Sequence, residues 1–199
     1  MAGAALNKND ARFLATQERI EDAFWELLAQ EGFQKVTVRK LSGLASINRG
    51  TFYLHAQDKY DLLGQVEDRI HRGMMGGSDA LLAAASSAGK LPLASPMVAG
   101  AEYAYANRNR IMLLMDGSCD PLFFSKYAAK VRAALLGHIG EPTPEQRYAL
   151  ALMEGAIGGF FNEWVRGGMR ETPEEYVDIV AGIATKLNLP AVAELARRR

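Results

Sequence analysis

The sequence predicts an all-α protein, on three observations that hold along nearly all of its 199 residues. Apolar residues recur at helical spacing in several long segments, and no run alternates with period two for long enough to form a strand. Residues suited to capping a helix also stand directly before four of the prolines, as they do at helix starts, in Ser95-Pro96, Asp120-Pro121, Thr143-Pro144 and Thr172-Pro173. These observations predict helices joined by turns.

The first predicted helix extends from Asp10 to Glu31. Gly32 follows it and is a common helix stop. Its apolar stripe is spaced for one face of an amphipathic helix and consists of Phe13, Ile20, Phe24, Leu27 and Leu28.

Two short helices and a longer one are predicted next. Thr37 is placed to cap a helix from Val38 to Ala45, and a turn at residues 46–48 separates it from a second helix beginning at Arg49. Asp58 is placed to cap the longer helix. This order of elements is that of a helix-turn-helix.

The strongest later helices are predicted at Pro144–Gly167 and Glu174–Leu187. Both follow a Thr-Pro pair, and Thr143 with Gln146 and Thr172 with Glu175 match the capping box. Residues 86–96 are rich in Ala, Ser, Gly and Pro and predict a loop.

Basic residues are segregated near the amino end. The segment 32–57 contains Lys35, Arg39, Lys40 and Arg49 and no Asp or Glu, although the whole chain balances 23 basic against 23 acidic residues. Duplex DNA is a dense polyanion, so a local cationic patch on a helix-turn-helix indicates DNA as the partner.

Composition excludes several other classes. Apolar residues make up 49% and charged residues 23% of the chain, as in soluble globular proteins, and no run of 18 apolar residues predicts a membrane span. The first residues do not form a secretory signal, and Cys119 is the single cysteine, so we expect a cytoplasmic protein without disulfides.

The sequence gives no sign of catalysis. His55, His71 and His138 are scattered, and there is no H-E-x-x-H, G-x-S-x-G, P-loop or dinucleotide-binding motif. We therefore expect no catalytic residues, no metal site and no cofactor.

The segments T-V-R-K-L-S-G-L-A-S-I and N-R-G-T-F-Y-L-H-A-Q-D-K-Y-D-L-L carry a family resemblance. Over about Thr16 to Asp68 the chain resembles the tetracycline-repressor (TetR) family, because the order T-F-Y-x-H-x-x-D-K-x-x-L-L matches at many positions together. The resemblance implies a three-helix DNA-binding domain followed by a helical effector-binding and dimerisation domain. We place their boundary where the basic segment ends, which gives domains at residues 1–58 and 59–199.

The resemblance also implies which residues meet DNA. Arg39 would reach bases or phosphate, Arg49, Gly50 and Thr51 would face base edges, and Tyr53, His55 and Lys59 would contact the backbone. For Tyr53 and His55 local packing is the alternative. The full set of predicted DNA-binding residues is Thr37, Arg39, Lys40, Asn48, Arg49, Gly50, Thr51, Tyr53, His55 and Lys59.

The sequence departs from the family pattern at two positions. Ser46 stands where the turn often has glycine, which predicts a left-handed backbone strained by roughly 1 kcal/mol. Ala56 replaces a bulkier residue after the histidine and predicts looser packing.

The carboxy-terminal part resembles the family in helix count and length, which implies an effector pocket and a dimer. The last two long helices would form the dimer interface, although periodicity leaves open that their apolar faces are buried within one subunit. Candidates for a small-molecule pocket, for which ordinary core packing is the alternative, are Met97, Tyr103, Met112, Met115, Phe123, Phe124, Phe160 and Trp164.

Together these expectations predict a homodimeric transcriptional regulator, a repressor, that binds a palindromic operator and is released by a small-molecule effector. The alternative is a helical interaction protein that binds a small molecule or a protein, with the helix-turn-helix serving only as a fold element.

Overall fold

The computed structural model describes residues 8–76, 94–116, 119–139 and 141–187, and every regular element in these ranges is helical. The all-α prediction is therefore confirmed. No helix in the described ranges is long and apolar enough to cross a membrane. The elements are α1 (Lys8–Glu31), a 3-10 turn (Phe33–Lys35), α2 (Val38–Leu44), α3 (Arg49–Tyr53), α4 (Lys59–Met75), α5 (Ala94–Ala106), α6 (Arg108–Met115), α7 (Phe123–Ile139), α8 (Pro144–Arg166) and α9 (Pro173–Lys186).

The chain divides into two compact units. The first contains Met1–Asp68 and Leu113–Asp120, and the second contains Arg69–Met112 and Pro121–Arg199. The division falls inside α4, whose first turns bury Leu62 in the first unit. The boundary at residue 58 was predicted between a DNA-binding domain and an effector-binding domain, and it stays a prediction.

The core of the first unit is built from α1 and the short elements that follow it. Ile20 and Phe24 of α1 are completely buried, as are Leu41 of α2 and Phe52 of α3. The ring of Phe33 lies 6.3 Å from that of Phe24 and extends this core into the 3-10 turn. The predicted stripe of α1 thus faces inward along most of its length.

The ends of these short helices are fixed by local interactions. Gly32 has φ +76° and ends α1, and the hydroxyl of Thr37 accepts a hydrogen bond from the Lys40 amide at 3.3 Å. The Asp58 carboxylate accepts from the amides of Tyr60 and Asp61, both at 2.8 Å. The predicted caps at Thr37 and Asp58 are confirmed.

Ser46 adopts the left-handed backbone that its position in the turn predicted, with φ +53°. This conformation lets the Ile47 amide donate to the Ser42 carbonyl at 3.0 Å, which closes the end of α2. Ala56, the second position at which the sequence departs from the family pattern, is buried.

In the second unit α5 packs against α9, and α7 packs against α8. Both predicted capping boxes are present, at the start of α8 and at the start of α9. The indole N–H of Trp164 donates to the Glu171 carbonyl at 3.1 Å, and its ring stacks on Tyr176 at 4.2 Å. These contacts fix the turn between α8 and α9.

Two of the predicted helix starts are displaced. Helix α5 begins at Ala94, so residues 94–96 are helical and the loop prediction is wrong for them, whereas residues 86–93 lie outside the described ranges. An alanine-rich sequence favours helix, and Pro96 is tolerated in a first turn because no N–H is needed there. Helix α7 begins at Phe123, two residues after Pro121.

Candidate nucleic-acid interface

Helix α3 is only five residues long and depends on its cap. The side-chain oxygen of Asn48 accepts from the Thr51 amide at 2.7 Å and from the Thr51 hydroxyl at 3.1 Å. Phe52 anchors the opposite face in the core, so Arg49 and Gly50 stand on the exposed side of the helix start. An isolated helix of this length is unstable in water, so the cap and this anchor hold it in place.

Two of the predicted cations are available to a ligand. Arg39 on α2 and Arg49 on α3 are exposed, and neither forms a hydrogen bond or an ion pair with the part of the chain that the structure describes. A guanidinium can pair bidentately with phosphate or with guanine.

The two predicted lysines are engaged within the protein. Lys40 forms an ion pair with Glu31 at the end of α1. The Lys59 ammonium donates to the carbonyls of Phe33 at 3.1 Å and Gln34 at 3.3 Å, and it lies 4.6 Å from the centre of the Phe33 ring. Lys59 therefore joins the start of α4 to the 3-10 turn, a role that the sequence did not predict.

The remaining predicted positions on α3 are small or exposed. A Cβ on Gly50 would lie 3.2 Å from the capping oxygen of Asn48, so a side chain there would crowd the cap. Tyr53 is 57% exposed, and its ring meets Phe52 edge to face. Leu54 is 76% exposed and was not among the predicted DNA-binding residues. Its apolar side chain among polar neighbours could have indicated this exposed position from the sequence.

His55 is half-buried, and its contacts come from distant positions in the sequence. Its ring stacks on Phe13 at 4.0 Å, and its Nδ1 lies 3.0 Å from the side-chain oxygen of Gln17. Burial lowers the pKa of the His55 imidazole below its ordinary value of 6.5. The local packing considered for His55 is therefore present on one side of the ring.

Within the described ranges, the predicted pocket residues are either buried or half-buried. Phe123 and Trp164 are buried in packed aromatic contacts, with Phe123 4.5 Å from the His71 ring. Phe124 stacks on Phe161, and Met97, Tyr103, Met112, Met115 and Phe160 are half-buried. A groove between α7 and α8 is lined by other residues, namely Ala128, Val131, Arg132, Leu150, Met153, Glu154 and Ile157. The effector pocket stays a prediction.

No group of three or more His, Cys, Asp or Glu side chains that could hold a metal ion occurs in the described part of the chain. Helices α2 and α3 and their flanking residues present exposed guanidinium, amide and aromatic groups. Together with the two short helices and their turn, they define the helix-turn-helix class of protein.

Comparison with known proteins identifies the family of the amino-terminal segment. Residues 20–66 match the family model of bacterial regulatory proteins of the tetR family. This segment covers α1 from Ile20 onward, α2, α3 and α4 as far as Val66. No curated protein matches the chain.

Solved structures of transcriptional regulators share the fold. A TetR transcriptional regulator from Streptococcus agalactiae 2603V is 19% identical with a TM-score of 0.63, covering 88% of this chain and 96% of that one. NalD, the secondary repressor of the MexAB-OprM multidrug efflux pump in Pseudomonas aeruginosa, is 17% identical with a TM-score of 0.62, covering 92% and 96%. The dihydroxyacetone kinase operon activator DhaS is 14% identical with a TM-score of 0.57, covering 87% and 96%.

The resemblance to the TetR family is thus confirmed. The amino-terminal segment is that family's domain, and the chain has the all-α fold of TetR-family transcriptional regulators.

Proposed function

We propose that this protein is a cytoplasmic, homodimeric transcriptional repressor that binds a palindromic operator and leaves it when a small-molecule effector binds. The observation that carries the proposal is the pair of exposed, unpaired guanidinium groups of Arg39 and Arg49, within a segment that matches the TetR family. We expect no enzymatic activity.

DNA would be bound by α2 and α3. The amino end of α3 carries Arg49, Gly50 and Thr51 on a helix whose small residues let the backbone approach base edges in the major groove. Arg39 would add a contact from α2. Tyr53 and Leu54, at the other end of α3, are exposed enough to meet sugars and phosphates.

The dimer would form through α8 and α9. Their surfaces expose large apolar side chains, with Tyr148 79% and Leu152 54% exposed on α8, and with Ile179 exposed on α9. Gly155 and Gly159 are also exposed on α8 and would let a second helix approach closely. Exposed apolar faces on two helices suit a four-helix interface across a two-fold axis.

The effector response would be a two-state equilibrium. In one state the two copies of α3 would stand about 34–36 Å apart and enter successive major grooves. An effector that binds the other state more tightly would shift the population and weaken DNA binding. Helix α4 is continuous from Lys59 to Met75, so it could transmit this change along the chain.

Repression is part of the proposal and is not fixed by the fold. NalD is described as a repressor and DhaS as an activator, and both share the fold. A reporter gene placed behind the operator, with and without the protein, would decide between them.

The DNA-binding proposal can be tested with fluorescence anisotropy on random-sequence duplex DNA at several salt concentrations. If Arg39 and Arg49 of two subunits each neutralise one phosphate, about four counterions are released and the slope of log K against log salt is about −4. Binding that does not respond to salt, or no binding, would contradict the proposal and favour an interaction protein.

A further inference from the structure

Two glutamine side chains connect His55 to the helices on either side of it. The Gln17 amide donates to the Glu21 carboxylate at 2.9 Å and to the side-chain oxygen of Gln65 at 3.0 Å. The Gln65 amide in turn donates to the backbone carbonyl of His55 at 2.9 Å and to the Asp61 carboxylate at 3.3 Å. Helix α1, the end of α3 and α4 are therefore joined by one polar network.

The direction of these hydrogen bonds determines the proton on the imidazole. Because the nitrogen of Gln17 donates to two acceptors, the oxygen of Gln17 is the atom that faces His55 Nδ1 at 3.0 Å. A carbonyl oxygen can only accept, so Nδ1 of His55 must carry a hydrogen. In the neutral ring Nε2 is then unprotonated and presents a lone pair.

The second nitrogen of the ring is available. Within the described part of the chain no hydrogen bond to His55 Nε2 occurs, and the histidine is only half-buried. A lone pair repels a phosphate oxygen, whereas a protonated Nε2 donates a charge-assisted hydrogen bond to it. His55 follows the exposed Tyr53 and Leu54 at the end of α3, where the proposed function places the DNA backbone.

We propose that Gln17 is a positioning residue for DNA binding, which holds His55 with Nδ1 protonated so that phosphate binding at Nε2 takes up one proton per subunit. This inference rests on the proposed function, because the phosphate is that of the operator.

Within the described part of the chain, no carboxylate forms a hydrogen bond to the His55 imidazole, so none takes the place that a DNA phosphate would have. The carboxylate of Glu21 on α1 is connected to the imidazole through Gln17. The carboxylate of Asp61 on α4 is connected to it through Gln65 and then Gln17. Phe13 covers one face of the ring with an apolar surface. Burial lowers the imidazole pKa in the absence of DNA, so the ring is mostly neutral at pH 7.5 until a phosphate is bound.

The sign of the pH effect follows from linkage. Because the phosphate raises the pKa of His55 in the complex, the complex binds more protons than the separated partners, and DNA affinity increases as pH falls. The increase approaches about tenfold per pH unit per subunit between the two pKa values, and it disappears well above the pKa of the complex.

The first experiment determines the tautomer in the full-length protein without DNA. Long-range ¹H–¹⁵N NMR spectra at pH 7.5 should assign His55 as the Nδ1–H form. In Gln17→Met the Nε2–H form should appear, because the acceptor for the Nδ1 hydrogen is lost. An Nε2–H tautomer in the unmodified protein would overturn the proposal.

The second experiment measures affinity for an operator duplex between pH 5.5 and 7.5 at fixed salt, with unfolding monitored at each pH. The unmodified protein should tighten by about tenfold or more as pH falls. His55→Gln and Gln17→Met should lose most of this change, and the exposed α1 control Gln30→Met should behave like the unmodified protein.

The two proposals fail in different ways. If the protein binds DNA and His55→Gln leaves the pH dependence unchanged, the role of Gln17 and His55 is overturned and the DNA-binding function stands. If the protein binds no DNA at any pH, the proposed function itself is overturned, and the inference about DNA falls with it even where NMR reports Nδ1–H.

Discussion

At the scale of single residues, the structure separates cations of similar appearance in the sequence. Arg39 and Arg49 are exposed and unpaired within the described ranges, whereas Lys40 is paired with Glu31 and Lys59 is held by backbone carbonyls. An exposed guanidinium is available to a phosphate or a base, whereas an engaged ammonium must first break its own interactions. The number of cations that lie close together in the sequence is therefore larger than the number that is available to bind DNA.

We predict that Arg49→Ala weakens specific DNA binding by about 1–3 kcal/mol and Lys40→Ala by clearly less, because Lys40 already neutralises Glu31. Affinity for the operator, measured by gel shift at one salt concentration, checks this prediction. Arg170→Ala, at an exposed residue of the second unit, is the control for loss of one positive charge. Equal effects of Arg49→Ala and Arg170→Ala would contradict the proposed role of Arg49.

At the scale of elements, helix α3 is held by its ends. Five residues form too few hydrogen bonds for independent stability, so the Asn48 cap and the buried Phe52 determine whether the helix forms. The connection of α8 to α9 is likewise fixed by contacts of one residue, Trp164, which donates a hydrogen bond to Glu171 and stacks on Tyr176.

We predict that Asn48→Ala lowers the free energy of unfolding by about 1 kcal/mol and also weakens DNA binding, because it removes the acceptor for the Thr51 amide and hydroxyl. Asn48→Ser supplies another capping oxygen and should retain most of both properties. Urea denaturation and gel shift on the same samples check this. Wild-type stability in Asn48→Ala would show that the cap is dispensable.

Helices and caps were predictable from the sequence because they depend on neighbours a few positions apart. Thr37, Asp58, Thr143 and Thr172 all cap the helices predicted for them, and Ser46 has the predicted left-handed backbone. Contacts between distant positions were not predictable. The pairing of His55 with Gln17 spans 38 residues, and no local periodicity encodes it.

The pocket candidates show the same limit. Methionines and aromatic residues at helical spacing fit a packed core as well as a ligand cavity, and the structure places Phe123 and Trp164 in packed contacts. Whether a helix face lines a cavity depends on how several helices pack together. The residues that determine this packing are distributed over the whole chain.

At the scale of the whole molecule, recognition of a palindromic operator requires two copies of the chain. One copy of α3 would read a single half-site, whereas a palindrome is read by two copies related by a two-fold axis. The exposed apolar surface of α8 and α9 is the feature that would hold them together.

We predict that Leu152→Glu converts the dimer to a monomer, because it places charge on an apolar, exposed face of α8. Leu122→Glu changes an equally exposed leucine outside α8 and α9 and should leave the dimer intact. Sedimentation velocity on both variants checks this. A monomeric unmodified protein, or a dimer that tolerates Leu152→Glu, would contradict the proposed interface.

The most direct test of the central claim is selection of bound fragments from a random pool of duplex DNA by the full-length protein. We predict an enriched palindrome whose half-sites lie one helical turn apart or a multiple of it, about 10–10.5 base pairs per turn, with enrichment lost in Arg49→Ala. A pool that shows no enriched sequence, or an enrichment unchanged in Arg49→Ala, would contradict it.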